Sequence, residues 1–90
     1  MSKEPTEIKV AQLGDFIGAF ITVWESNDGK RVAKVTGFDV GRHTITYEYM
    51  TPSKGNGQPV GVSVRAQCDL SQTIMVFHTI EEAQENIEKG

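Results

Sequence analysis

Residues 16–24 constrain the fold most strongly, because they are apolar on both faces of a predicted strand. The segment is rich in the β-branched and aromatic residues that favour strands. Alternation puts one apolar set, Ile17, Ala19, Ile21 and Val23, opposite a second set, Phe16, Phe20 and Trp24. A strand of a small β domain normally turns only one face to the core. A second structural layer or a partner must therefore cover the other face.

Four more segments have the composition or the alternation that predicts strands. They are residues 30–38, 43–50, 60–66 and 73–78. Two of them alternate regularly, and their predicted inward residues are Ile45, Tyr47, Tyr49, Val60, Val62 and Val64. The turn Ser26-Asn27-Asp28-Gly29 ends in an Asp-Gly pair, which is typical of a tight hairpin. The spacing therefore predicts antiparallel strands joined by short turns.

The N-terminus and the longest connection of the chain are polar. Residues 1–7 are predicted to be a disordered tail, and residues 8–14 a short strand or a turn. Residues 51–59 contain two prolines and two glycines, which predicts a flexible loop. Residues 8–90 then form a single domain, because a chain of 90 residues is long enough for only one.

Residues 79–89 are predicted to form the C-terminal helix. Thr79 and Glu82 have the spacing of a capping box, in which each residue satisfies a backbone N–H group of the other. Ile80, Ala83 and Ile87 fall on one face at helical spacing. This apolar face needs a partner, and the second face of residues 16–24 is one that the chain itself supplies.

Three stretches in the first half of the chain resemble one family of small barrels. They are Gly14-Asp15-Phe16-Ile17, Gly29-Lys30 and Val35-Thr36-Gly37-Phe38-Asp39. KOW and Tudor-type domains carry a Gly-Asp before the first strand and a Gly-Lys before the second, and the resemblance covers residues 13–40. It implies that the mainly β fold is a small five-stranded antiparallel SH3-like barrel, of the group that includes Sm-like proteins. A curled sheet is the alternative, and a C-terminal α-helix completes either form.

Cysteine and histidine are too few for disulfides or closed metal sites. The chain has one cysteine, Cys68, and two histidines, His43 and His78. A single cysteine cannot form an internal disulfide, and a structural zinc site takes four such ligands. With no apolar leader after Met1, the sequence predicts a cytoplasmic protein. No metal or cofactor is predicted. No membrane partner is predicted either, since no apolar run approaches the ~20 residues that a membrane span needs.

The negative charge of the chain lies at its C-terminal end. The net charge is −3, and residues 79–90 account for all of it, with four glutamates against one lysine. The rest of the chain is balanced. A broad positive field, which nonspecific nucleic-acid binding requires, is therefore absent from the sequence.

The apolar and acidic patterns together favour a non-enzymatic protein-interaction module. Phe16, Phe20 and Trp24 would anchor a homo-oligomer or a complex with a partner protein, next to Ile80 and Ile87 of the helix. The acidic helix beside these anchors suits a basic partner surface. The short chain suggests a regulatory or accessory protein of bacteria or their phages.

The alternative is a binder of a small ligand, a nucleotide or a nucleic acid, of the SH3-like or Sm-like kind. Basic and aromatic side chains are interleaved along the predicted strands, as they are in proteins that bind single-stranded nucleic acid. The candidate residues are Arg31, Lys34, Arg42, Tyr47, Tyr49, Lys54 and Arg65. Loop 51–59 would close over the ligand. The acidic balance of the chain weighs against nucleic acid.

No catalytic site is predicted. Cys68, Asp69, His43 and His78 include the residue types of a nucleophile, a base and an orienting group. Their spacing matches no catalytic motif, and Cys68 is interpreted as an ordinary buried thiol.

Overall fold

A computed structural model describes residues 5–26 and 28–89. Six strands and two helical segments follow one another within these described residues. They are β1 (Thr6–Lys9), a 3-10 helix (Val10–Phe16), β2 (Phe20–Glu25), β3 (Gly29–Asp39), β4 (Thr44–Tyr49), β5 (Ser63–Gln67), β6 (Thr73–Val76) and α1 (Ile80–Lys89).

The strands form two antiparallel sheets. The larger sheet has the order β2-β3-β4-β5, and the smaller sheet pairs β1 with β6. A single bridge joins them, in which the N–H group of each of Phe20 and Phe77 donates to the carbonyl of the other, at 3.0 and 2.8 Å. The predicted mainly β fold with a C-terminal helix is confirmed. The predicted five-stranded barrel is not, because the described strands number six and form two sheets that do not close.

The sixth strand comes from the N-terminal segment. Residues 1–4 of the predicted tail lie outside the described residues, as does Asn27 of the predicted hairpin turn. Thr6 and Glu7, also predicted to be tail, pair in β1 with Val76 and Met75 of β6. This pairing buries Ile8, which supplies the apolar contact that holds the segment in place.

The predicted strand over residues 16–24 is wrong for its first four residues. Strand β2 begins at Phe20, and Phe16 ends the 3-10 helix instead. Gly18 lies between them with φ of +96°, a backbone conformation that residues other than glycine rarely adopt. Phe16 therefore does not share a strand face with Phe20 and Trp24, because the chain turns between Phe16 and Phe20.

One face of the larger sheet carries the main core. Its buried members are Ile8, Val10, Leu13, Ile21, Ala33, Val35, Ile45, Tyr47, Tyr49 and Val76. The predicted burial of Ile45, Tyr47 and Tyr49 is confirmed. The predicted inward position of Val60 is wrong, since it is 53% exposed and β5 begins only at Ser63. Val62 and Val64 are half-buried against this core.

Helix α1 packs on the opposite face of the same sheet. Val32, Phe77 and Ala83 form a second buried cluster, which Phe20, Met50, Ile80 and Ile87 flank. The cap of the helix is close to the predicted one. Thr79 Oγ1 accepts a 3.1 Å hydrogen bond from the N–H group of Glu82, but the Glu82 carboxylate accepts from the Thr79 hydroxyl. No helix within the described residues has the length and apolar character that a membrane span requires.

Candidate functional site

Trp24 is the most exposed of the large apolar side chains that the structure describes, at 70%. It lies on β2, on the same strand face as Phe20, because the two residues are four apart. The helix covers Phe20 but stops short of Trp24. Trp24 is paired directly with Lys30 of β3, so the two side chains are neighbours on the helix-bearing face. The indole is thus left uncovered at the end of an otherwise packed face.

A groove of about 660 Å³ adjoins this tryptophan. We call it the α1 groove. Its helix wall carries Ile80 with the glutamates Glu81, Glu85 and Glu88, and its other wall is Thr51–Lys54. Lys30 also lines the groove, and Lys30 is the residue paired with Trp24. Trp24 is not among the lining residues, and Lys30 connects the exposed indole with the α1 groove.

The two walls of the α1 groove differ in charge. Glu85 forms an ion pair with Lys89 at 2.9 Å, and this contact lowers the pKa of Glu85 and raises that of Lys89. Glu81 and Glu88 extend the negative charge along the helix wall. Lys54 lies on the opposite wall. The outer side of the helix is consequently the acidic part of this surface.

Arg31 fixes the loop wall of the groove, although it is only 3% exposed. Its Nη1 atom lies 3.1 Å from Glu25 and 3.7 Å from Asp28. Its guanidinium also donates to the carbonyls of Thr51 and Gln58, at the two ends of the loop. We call these residues the Arg31 clasp. The clasp holds the predicted flexible loop 51–59 against the β2–β3 hairpin.

Other contacts strengthen the clasp. Glu25 accepts a 3.0 Å hydrogen bond from the N–H group of Gln58, and the Arg31 guanidinium lies 4.2 Å from the centre of the Tyr49 ring. The Asp28 side chain is 1% exposed, and within the described residues neither of its oxygens has a hydrogen bond of good geometry. The pKa of Asp28 still lies below its usual range, because the Ser53 hydroxyl and then Arg31 outweigh burial. The buried guanidinium thus compensates a buried carboxylate.

The predicted ligand residues are scattered by the fold. Arg31, Tyr47 and Tyr49 are buried, although Arg31 contributes to the lining of the α1 groove. The alternation along β3 could have indicated that Arg31 is buried, because Arg31 falls on the same inward face as Ala33 and Val35. Charge alone predicts exposure, which is why Arg31 is misassigned. Lys34 faces the helix side opposite Phe20, and Lys54 lies on the loop.

Burial of Tyr49 makes the free energy of unfolding fall at alkaline pH. Its pKa is raised to about 12, first by burial and then by the Tyr47 and Glu25 charges. Because the folded pKa exceeds the usual 10.0, the stabilisation is complete below pH 10 and is lost as pH rises towards 12. We expect the free energy of unfolding in urea to fall across this window. Tyr49→Phe should flatten the fall, and an identical fall in both proteins would contradict this assignment.

Arg42 and Arg65 are brought together at the far end of the sheet. With Phe38, Thr44 and Thr46 they line a depression of about 280 Å³, which we call the arginine pocket. Arg65 is paired with Thr46 across β4 and β5, and Arg42 lies in the β3–β4 turn. Of the seven residues predicted for a ligand site, Arg42 and Arg65 share this pocket, and Arg31 and Lys54 both line the α1 groove.

Cys68 is not an activated nucleophile. Its thiol donates to the carbonyl of His43 at 3.4 Å. Burial, and then the charge of Asp69, raise its pKa, so that the unreactive thiol form predominates near neutral pH. The carboxylate of Asp69 instead accepts from the hydroxyl and N–H groups of Ser71. Within residues 5–26 and 28–89, no three acidic, cysteine or histidine side chains cluster as a metal site requires.

The predicted interface residues occupy different environments. Phe16 packs against the main core, and Phe20, Ile80 and Ile87 pack around the second cluster, which leaves Trp24 as the exposed member. Comparison of the chain with protein-family models, curated proteins and solved structures gave no match.

Proposed function

We propose that the chain is a non-enzymatic interaction module that docks on a basic surface of a partner protein. The observation that carries this proposal is the exposure of Trp24 beside the α1 groove. Tryptophan is enriched among the residues that dominate binding energy in protein interfaces. An uncovered indole close to a groove can enter a partner surface as an anchor, which supports docking.

Charge favours a partner of a different kind over a second copy of the chain. Helix α1 carries Glu81, Glu82, Glu85 and Glu88 against Lys89. A face-to-face pair of copies joined through Trp24 would bring two such helices together, and like charges across an interface oppose association. A partner with lysine or arginine side chains would meet complementary charge along the helix. Self-association remains the competing outcome of the tests below.

The framework also supports a role as a small rigid adaptor. The bridge between Phe20 and Phe77 joins the edge of the four-stranded sheet to the two-stranded sheet. Such a scaffold would present Trp24 and α1 in a fixed relative position. We propose a regulatory or accessory role for a module of this kind.

Trp24 provides its own assay, because it is the one tryptophan of the chain. We would select peptides from a random 12-residue library on the native protein and measure their binding by tryptophan fluorescence. The expected peptides combine lysine or arginine with apolar residues, and their binding moves the emission of the indole to shorter wavelength. Trp24→Ser should abolish binding while changing stability by less than about 0.5 kcal/mol, since the side chain is exposed.

The matched control is Ile17→Ser, which removes another exposed apolar side chain, 50% exposed, outside the α1 groove. It should leave peptide binding intact. Peptides that bind Trp24→Ser as tightly as the native protein would refute the proposed anchor. A mass in solution that doubles with concentration for the native protein, but not for Trp24→Ser, would instead identify a second copy as the occupant.

A further inference from the structure

The arginine pocket lies apart from the surface proposed for docking. It is formed where the β3–β4 hairpin meets β5, on residues that the α1 groove does not include. Two register pairs build it, Thr46 with Arg65 and Thr44 with Asp39. Paired residues in antiparallel strands project to the same side, so the arginine and the threonine hydroxyls line one depression.

The pocket carries positive charge that no buried partner neutralises. Arg42 approaches Asp39 at 3.8 Å, but the two side chains are 79% and 55% exposed. An exposed pair at this distance contributes little, so Arg42 can turn to a better acceptor. The side chain of Arg65 makes no hydrogen bond or ion pair with the other described residues. Two guanidinium groups against one carboxylate leave a local excess of positive charge on an acidic protein.

The donors present match a phosphate group. The fork of an arginine side chain makes two parallel hydrogen bonds to phosphate oxygens, which lysine cannot do. The hydroxyls of Thr44 and Thr46 are further donors on the same lining. Phe38 also lines the pocket, and it is held in place by packing against the main core. We propose that this pocket binds the phosphate group of a small phosphomonoester.

The size of the pocket and its surroundings favour a small compound over a nucleic-acid strand. A volume of about 280 Å³ lies at the lower end of the range for small-molecule sites. A strand would need a continuous basic track beyond the pocket. Lys34 lies on the same face of the sheet but is paired with the acidic Glu48, which interrupts a basic track, and Lys54 lies on the loop wall.

The test is an NMR titration of the amide signals with adenosine monophosphate, inorganic phosphate and adenosine. We expect both phosphate compounds to shift the signals of Thr44, Thr46 and Arg65, and adenosine to leave them unmoved. Arg65→Met should weaken binding of the monophosphate by about ten-fold, which is typical of a lost charged hydrogen bond. Arg42→Met should also weaken it, and Arg65→Lys should fall between the native protein and Arg65→Met.

Lys54→Met is the matched control, because it removes one positive charge outside the pocket and should not alter the affinity. Equal binding by native protein, Arg42→Met and Arg65→Met would overturn the proposal, as would shifts of these amides by adenosine. Tighter binding of a hexathymidylate strand than of the monophosphate would assign the pocket to nucleic acid and also overturn it. All variants change exposed side chains, and circular dichroism should show them folded.

Discussion

Arg31→Met should lower the free energy of unfolding by about 3–5 kcal/mol, as is typical when one partner of a buried ion pair is removed. The substitution keeps an unbranched side chain in the site but leaves the Glu25 and Asp28 carboxylates without their cation. It also removes the donor to the carbonyls of Thr51 and Gln58. A domain of this size has a total stability of roughly 5–10 kcal/mol. The variant should therefore be partly unfolded in mild denaturant.

Urea unfolding followed by circular dichroism measures this change, and tryptophan fluorescence is unsuitable because Trp24 is already exposed in the folded state. Arg65→Met is the matched control, since Arg65 is exposed and the loss should stay within about 0.5 kcal/mol. The triple variant Arg31→Met, Glu25→Gln, Asp28→Asn removes the stranded charges and should recover part of the loss. A change below about 1 kcal/mol for Arg31→Met would mean that solvent reaches the clasp.

Phe77→Ala should cost about 3–5 kcal/mol, the usual range for truncating a buried aromatic side chain. Phe77 is 2% exposed and links the two sheets and helix α1. Its main chain bridges the two sheets, and its ring lies with Val32 and Ala83 in the cluster under α1. Truncation should therefore loosen the helix before it disturbs the main core. Hydrogen exchange should show lost protection in α1 ahead of β4.

The control for Phe77→Ala is Met75→Ala. Met75 lies two residues earlier, on β6, and its side chain is 36% exposed. It should lose much less stability. If Phe77→Ala fails to fold, Phe77→Leu keeps most of the apolar volume and should show the same order of lost protection at smaller cost. Equal loss of protection in α1 and β4 would show that the two faces of the sheet unfold together and contradict the predicted order.

The sequence predicts the parts of the fold that local periodicity determines. The alternation of residues 43–50 identifies the buried face of β4, and Thr79 with Ile80, Ala83 and Ile87 identifies the helix and its buried side. Residues 16–19 are mispredicted, because aromatic and β-branched composition does not distinguish a strand from the end of a 3-10 helix. The positive φ of Gly18 decides between them, and glycine permits that conformation without requiring it.

The candidate sites depend on contacts between distant parts of the chain. Arg42 and Arg65 meet only because β4 pairs with β5 in one particular register, which the sequence does not determine locally. Trp24 is exposed because α1 ends its packing at Phe20, and a period-two pattern treats both residues alike. The clasp is likewise non-local, since Arg31 contacts a loop that begins 20 residues later.

In the Arg31 clasp, the contacts that anchor the loop depend little on the side chains of the loop. Both ends are gripped through main-chain atoms, the carbonyls of Thr51 and Gln58 and the N–H group of Gln58. Gly57 and Ser53 are exceptions. A side chain at Gly57 would run into Glu25 and Asp28, and the Ser53 hydroxyl accepts from the N–H groups of Gly55 and Gly57. Elsewhere along the span, natural variation or a grafted peptide can exchange side chains without rebuilding the attachment. This wall of the groove is therefore the part of the molecule where new specificity can evolve at least cost to the framework.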